Sequence, residues 1–512
     1  MNTRLPVISL LASAALCGVG CTSVGPDYAT PPLAGDAPAA YAERHAGSPL
    51  LAAPPAADAA ALPADPWGAL GGETLKALQQ RARERNADIA TAALHLAQAR
   101  TQRDVAASQA GPTLGVSGSA ARQRQSQTDA ATRVFEIFPP ASQQQALDII
   151  GAPYTLYQAG FDASWELDLW GRVRRSIEAA EADDAAAAAL LADVRSSIDA
   201  EVARAWLDLG AARQQLAVLQ RQQASAAELL ALLEARQRHG LVDASAALRQ
   251  RSVLDDLAAR VPPLLETEAG AWRRIELLCG DMPGSLAAQL GVPGGSNAGS
   301  SAANSAGHSV SAAAATPWPA LALGLPSTLA ARRPDIAAAA AQLHAATATV
   351  GVAVADLYPR VMLGAGYGSA SVGSSNFATG PSQQWWFGAS VDLPLFDGGR
   401  RRAAVTQREL QMQQAAVAFR QTVVSAWHDV DAAVARYEAE RRRSAELQRK
   451  LEASDEAFQL ARVRYERGLS DETPLLETER TRLDAEREAI VSHAQQGLAL
   501  VAVYKALRVE GG

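Results

Sequence analysis

Past its first 20 residues the chain contains no apolar run of 18 or more, so its pattern offers no conventional helical membrane span. Three cysteines, Cys17, Cys21 and Cys279, are too few for a disulfide framework. Basic side chains number 47 against 54 acidic ones, a net charge of −7. Phosphate binding wants a basic face, so no nucleic-acid partner is expected. The seven histidines include neither an HExxH pattern nor an i, i+4 pair, and no metal or other bound cofactor is expected. Neither a phosphate loop nor a nucleophile elbow occurs, which removes the usual enzyme signatures. Aromatics make up only 5%, while much of the 48% hydrophobic content is alanine. That profile suits close helix packing better than one bulky core.

The N-terminus carries an address. Arg4 is followed by an apolar stretch from Leu5 to Leu16, shorter than the ~20 residues a helical span needs and right for a signal peptide. Gly18, Val19 and Gly20 then precede Cys21, as in a bacterial lipoprotein signal, so residues 1–20 are expected to be removed and Cys21 to carry a covalent lipid. Thr22 follows, and no aspartate stands there to hold a lipoprotein in the inner membrane. Residues 21–66, rich in Pro and Ala and poorly periodic, form an extended leader.

From Trp67 onward the chain is periodic. A helix is expected from about Glu73 to Gln109, stopped by Gly111-Pro112. A polar, strand-compatible segment follows (about 113–126), then an irregular stretch containing Pro139, Pro140 and Pro153. A second strand is expected at about 155–168, where Tyr157, Ala159, Phe161, Ala163, Trp165 and Leu167 alternate with Gln158, Gly160, Asp162, Ser164, Glu166 and Asp168. One apolar and one watery face is the pattern of a lipid-exposed barrel strand, although a half-buried strand of a soluble protein alternates too. The alternation returns at about 359–371 and 384–396. Gly364-Ala-Gly-Tyr-Gly368 resembles a dinucleotide fingerprint but lies inside one of these strands.

Two segments, Val173 to about Arg238 and Arg401 to about Arg467, run without proline for on the order of 95 Å as helix. Each ends at a glycine turn (Gly240, Gly468) followed by an aspartate (Asp243, Asp471) placed to cap a returning helix, to about Cys279 and Leu507. The halves match: Asp88 with Asp335, Pro112 with Pro359, Phe161 with Phe387, Trp206 with Trp427. Two repeats at about 67–285 and 317–508 are joined by a Gly/Ser/Ala-rich linker at 286–316. Each supplies two strands. Open strand edges are not tolerated in hydrocarbon and single-chain barrels need at least about eight strands, so four strands require further copies.

Cys21 through Tyr28, Leu325-Pro326-Ser327, Arg332 through Ile336, Leu278-Cys279-Gly280 and Pro394 through Arg400 together resemble the outer membrane factor lipoproteins of the TolC-like, OprM-like (NodT) class. Ala340 stands where that family usually has glutamate, and the linker is longer than usual. The resemblance implies an α+β membrane protein: a homotrimer with a 12-stranded outer-membrane β-barrel, four strands per chain, continuous with a long periplasmic α-helical barrel and a mixed equatorial region. It would be lipid-anchored in the outer membrane, in contact with its lipid. It would serve as the passive exit duct for a periplasmic adaptor and an inner-membrane RND-type pump that export drugs or toxic compounds.

By the same resemblance Tyr465, Glu477 and Arg480 are gate candidates at the periplasmic end, and Gly240, Asp243, Gly468 and Asp471 mark hairpin turns that would meet the adaptor. Glu477 and Arg480 are i, i+3 and share a helix face, as a merely solvated pair would also do. A type I protein-secretion duct shares the fold and remains an alternative. A periplasmic coiled-coil scaffold is a third.

Overall fold

In the computed structural model the described residues are 23–30, 67–137, 139–287, 289–291, 318 and 333–508. Cys21, residues 31–66 of the leader and the linker from 292 to 316 lie outside them. The elements run α1 (Gly68–Arg85), α2 (Ala87–Ser108), β1 (Thr113–Gln123), α3 (Pro140–Gly151), β2 (Tyr154–Leu167), α4 (Arg172–Arg238), α5 (Ala244–Ala259), α6 (Val261–Leu278), α7 (Pro334–Ala355), β3 (Arg360–Ser371), β4 (Gln383–Asp392), α8 (Arg400–Glu466) and α9 (Glu472–Ala506).

The two 67-residue helices α4 and α8 match the expectation within a residue at each end. Four boundaries differ. The helix expected over 73–109 is two helices. Asn86 interrupts it, its amide donating to the Leu278 carbonyl at 2.9 Å while its Oδ1 accepts from the backbone N–H of Asp88 and Ile89. Asn86 thus caps the second helix and ties the break to α6. The first returning helix is likewise split at Arg260, where Pro262 and Pro263 cannot donate backbone hydrogen bonds. The stretch read as irregular holds a short 3-10 helix at Ala130–Ile137 and then α3. The fourth strand ends at Asp392 rather than 396, because Pro394 has no ladder donor.

One described helix, α7, has the length and apolar composition of a membrane span. Part of its apolar window is buried, 44%, and its His344 bonds Glu178 of α4 at 2.9 Å, which mark it as a packing helix.

The chain forms two compact units, and both repeats contribute to each. The first comprises residues up to 29, 98–184 and 341–416. Its centre is an antiparallel sheet in the order β1-β2-β3-β4, with β2 of the first repeat paired to β3 of the second. The register puts Val116, Phe161, Tyr367 and Trp385 in one row, and Leu114, Ala163, Ala365 and Phe387 in the next. The apolar parities of all four strands therefore share one face. The opposite face carries Ser117, Asp162, Ser164, Gly364, Gly366, Gly368 and Ser390.

Both strand-to-helix junctions use the same device. At the first, Asp168 accepts from the backbone N–H of Val173 (3.0 Å) and Arg174 (2.9 Å). At the second, Asp397 accepts from Gly399 (3.1 Å) and Arg401 (3.3 Å). Each carboxylate satisfies donors that a helix start leaves unpaired and sits at the positive end of the helix dipole. Arg172 also forms a two-pronged ion pair with Glu166, both contacts at 2.7 Å.

The second unit holds residues 30–97, 185–340 and 417–512. Its core gathers Trp67, Leu70, Leu75, Leu78, Leu209, Ile275, Leu500 and Tyr504, with Trp67 edge-on to Tyr504 at 5.3 Å. Arg333 pins the start of α7. Its guanidinium, 3% exposed, donates to the carbonyls of Ala426 (3.3 Å) and Ala506 (2.8 Å) and to both carboxylate oxygens of Asp335. Burial alone would raise the Asp335 carboxyl, yet the Arg333 contacts hold it below the usual carboxylate range.

Candidate functional site

Three features bear on function: the lipid-facing sheet, the segment that follows the expected anchor, and the hairpin tips. On the sheet's apolar face Val116, Phe161, Tyr367, Trp385, Phe387 and Val391 are all exposed in the single chain. Apolar side chains bared in a row across four strands need lipid or another chain to cover them. The outer edges of β1 and β4 have no strand neighbour among the described residues.

In the same unit as the sheet, Ser23–Ala29 lies as a strap. Val24 donates its N–H to the Trp170 carbonyl at 3.1 Å. Gly25 rests directly on the backbone of Gly351, so a Cβ there would fall 2.5 Å from the Gly351 Cα. Asp27 pairs with buried Arg175, which also binds Glu178 at 2.8 Å, and Tyr28 stacks on His344 at 4.3 Å. The residues just after Cys21 are thus fixed to α4 and α7. Cys21 itself lies outside the described residues. The described Cys279 is buried, its thiol pushed up to about 11 by burial, which makes it a poor nucleophile.

The tips belong to the second unit. Gly240 and Gly468 both adopt left-handed backbone (φ 71° and 70°), which costs glycine little. The following N–H groups reach back: Leu241 to Arg236 and Leu469 to Arg464, each at 2.9 Å. Both turns are Schellman caps. Asp243 caps α5 by accepting from Ser245 N–H at 2.7 Å. Asp471 occupies the matching position before α9, but its side chain makes no capping bond, contrary to the expectation that it would. Leu241 and Leu469 are exposed at the two turns, an apolar pair that the sequence reading left out.

Tyr465 is buried, with the Arg236 guanidinium 4.4 Å from its ring centre, and its hydroxyl has no hydrogen-bond partner among the described residues. The structure therefore places Tyr465 inside the protomer, where it joins the two hairpins. Leu476 of α9 also packs on the first hairpin, beside Leu230, Leu233, Ala246 and Ala247. Glu477 and Arg480 are exposed, and among the described residues neither forms an ion pair. Glu479 lies between them on the opposite face. It is 3% exposed, and burial raises its carboxyl above the ordinary range while Arg482 partly opposes the shift. Its spacing from Leu475 and Leu483, four residues either way, put it on the apolar side of α9 and was readable in the sequence. Arg441, Arg442 and Arg443 face Glu438 and Glu440 one turn back, as a solvated helix face does.

The model of the outer membrane efflux protein family matches residues 78–280 and 325–507, most of the chain. The chain belongs to that family. It is 32% identical over 480 residues to the pyoverdine export outer membrane protein OpmQ of Pseudomonas putida, covering 93% of each chain. It is 29% identical over 352 residues to outer membrane protein OprJ of Pseudomonas aeruginosa, covering 69% of this chain and 70% of that one. Its fold overlays the outer-membrane channel OprN with a TM-score of 0.78 at 28% identity, covering 96% of this chain and 99% of that one. This efflux channel is an outer-membrane protein, and its family is one of transport channels. Its four strands are one chain's share of a trimeric channel with a β domain and a helical barrel. The open edges of β1 and β4 are where neighbouring copies pair.

Proposed function

We propose that this efflux channel is the exit duct of a tripartite system, taking small molecules passively from an inner-membrane RND-type pump through a periplasmic adaptor. The observation that carries the reading is the open four-stranded sheet, apolar on one face and Gly, Ser and Asp on the other. Such a sheet is complete only as part of a closed, water-lined barrel. Kinship over nearly full length to a protein named for pyoverdine export favours small solutes over the polypeptides of a type I duct.

Leu241 and Leu469 at the tips, with Asp243 and Asp471 beside them, form the adaptor-facing surface. Glu477 and Arg480, exposed and without an ion pair among the described residues, are the inter-chain contacts that hold the resting channel shut. Tyr465 supports them from inside by fixing the tip of α8 to α4. Cys21, carrying the lipid, anchors the strap that Asp27 and Tyr28 dock.

Planar-bilayer recording of purified trimers tests the duct and its closure together. Wild type is expected to show low conductance, and the Glu477→Ala, Arg480→Ala double variant a several-fold larger one. A double variant indistinguishable from wild type removes this pair from the closure. Trimers that conduct nothing in any variant overturn the duct.

A further inference from the structure

The polar face of the sheet is not uniform. Gly115, Asp162, Gly366 and Trp386 form one row across the four strands, and Ser117, Gly160, Gly368 and Gln384 the next. Trp386 is 56% exposed on the face that otherwise carries small and polar groups. Its indole lies flat over β3: a Cβ on Gly366 would fall 2.2 Å from its Nε1, and one on Gly364 2.6 Å from its Cη2. In the neighbouring row Gly160 and Gly368 face each other so closely that a Cβ on Gly368 would meet the Ala159 carbonyl oxygen at 2.5 Å.

The result is a recess of about 260 Å³ with a floor of bare backbone, flanked by the indole and by Asp162, with Gln158 and Gln384 at its rim. Asp162 accepts a hydrogen bond from Ser117 Oγ at 3.3 Å and forms no ion pair among the described residues. The Gly-Ala-Gly-Tyr-Gly run of β3 thus makes room for an aromatic wall beside an uncompensated carboxylate.

We propose that this recess is a stacking subsite for flat aromatic cations on the conduction path. The inference rests on the duct reading, since only in a barrel does this face line the passage. An indole face attracts cations and stacks on planar rings. A side-chain-free floor lets such a ring lie close to the sheet, and Asp162 supplies the opposite charge. A recess this small and open holds a solute briefly, which suits a conduit that must also release it.

Single-channel recording with ethidium as the probe and tetraethylammonium as a non-aromatic control tests the site. Ethidium is expected to produce discrete, brief current blocks in wild type, and tetraethylammonium, which has the charge but no ring to stack, markedly shorter ones. Trp386→Ala should shorten the blocks about tenfold, the order one stacking or cation–π contact supplies. Asp162→Asn should weaken them, because the site then lacks its opposite charge. Gly366→Ala, which displaces the indole without removing it, should act like Trp386→Ala. Blocks of equal length in wild type and Trp386→Ala overturn the subsite, and so does their absence in wild type. Persistent small-ion conductance in either case leaves the duct reading standing.

Discussion

The guanidinium of Arg236 lies over the ring of Tyr465, 4.4 Å from its centre, and joins the last turn of α4 to the last turn of α8. Arg236 stands four residues before the turn glycine of the first hairpin, and Tyr465 three before that of the second. The contact bolts the chain's two hairpins together.

Because the Tyr465 hydroxyl is buried without a partner, Tyr465→Phe should keep the cation–π contact and remove an unsatisfied group worth about 1–3 kcal/mol. Thermal melting of the trimer should be unchanged or raised, with conductance near wild type. Tyr465→Ala should lower the melting temperature and loosen the tip. Equal conductance increases in the two variants would show that the hydroxyl, not the ring, is what matters.

Glu479 makes stability depend on pH. Burial raises its carboxyl pKa above the unfolded value of 4.5, so the folded state holds the proton more tightly. The associated stability is fully present below that unfolded value and is lost as pH rises through the folded one. Glu479→Gln should therefore raise the melting temperature at pH 7.5 and change it little at pH 4. A melting difference that is the same at both pH values contradicts the assignment.

The strap can be released without touching the channel wall. Gly25→Ala pushes a Cβ into the Gly351 backbone and strains a left-handed position (φ 91°). Limited proteolysis should then cut near residues 23–30 faster than in wild type, while trimer content is retained. Unaltered cleavage would mean that the strap is held chiefly by Asp27 and Tyr28.

Arg333 is the buried ion pair that should matter most to folding. Removing it takes the main partner from half-buried Asp335 and the donor from the Ala426 and Ala506 carbonyls, a loss of about 3 kcal/mol. Arg333→Ala should sharply lower trimer yield and melting temperature, whereas Arg449→Ala, which breaks an exposed pair with Glu446, should shift melting by no more than about 2 °C. A silent Arg333→Ala would show that the α7 start is held by packing alone.

The long helices, the four strands and the glycine turns were legible because periodicity and glycine report local backbone preference. The sheet register follows from the same alternation, since a one-residue slip would turn Phe161 and Trp385 to the wrong face. The break at Asn86 was not legible, because an asparagine inside a periodic stretch need not interrupt it, and the bond that ties this one to the Leu278 carbonyl comes from a segment distant in sequence. The end of β4 was misjudged by giving alternation more weight than Pro394.

Sequence by itself determined the class of molecule: strands too few to close alone and helices too long for a globular core. These properties are local, encoded in period and composition. Tertiary structure alone decided that Tyr465 meets Arg236, that Asp471 leaves its helix uncapped, and that Trp386 lies across glycines from another strand. Such pairings depend on how separate elements pack, and no spacing within one element records them.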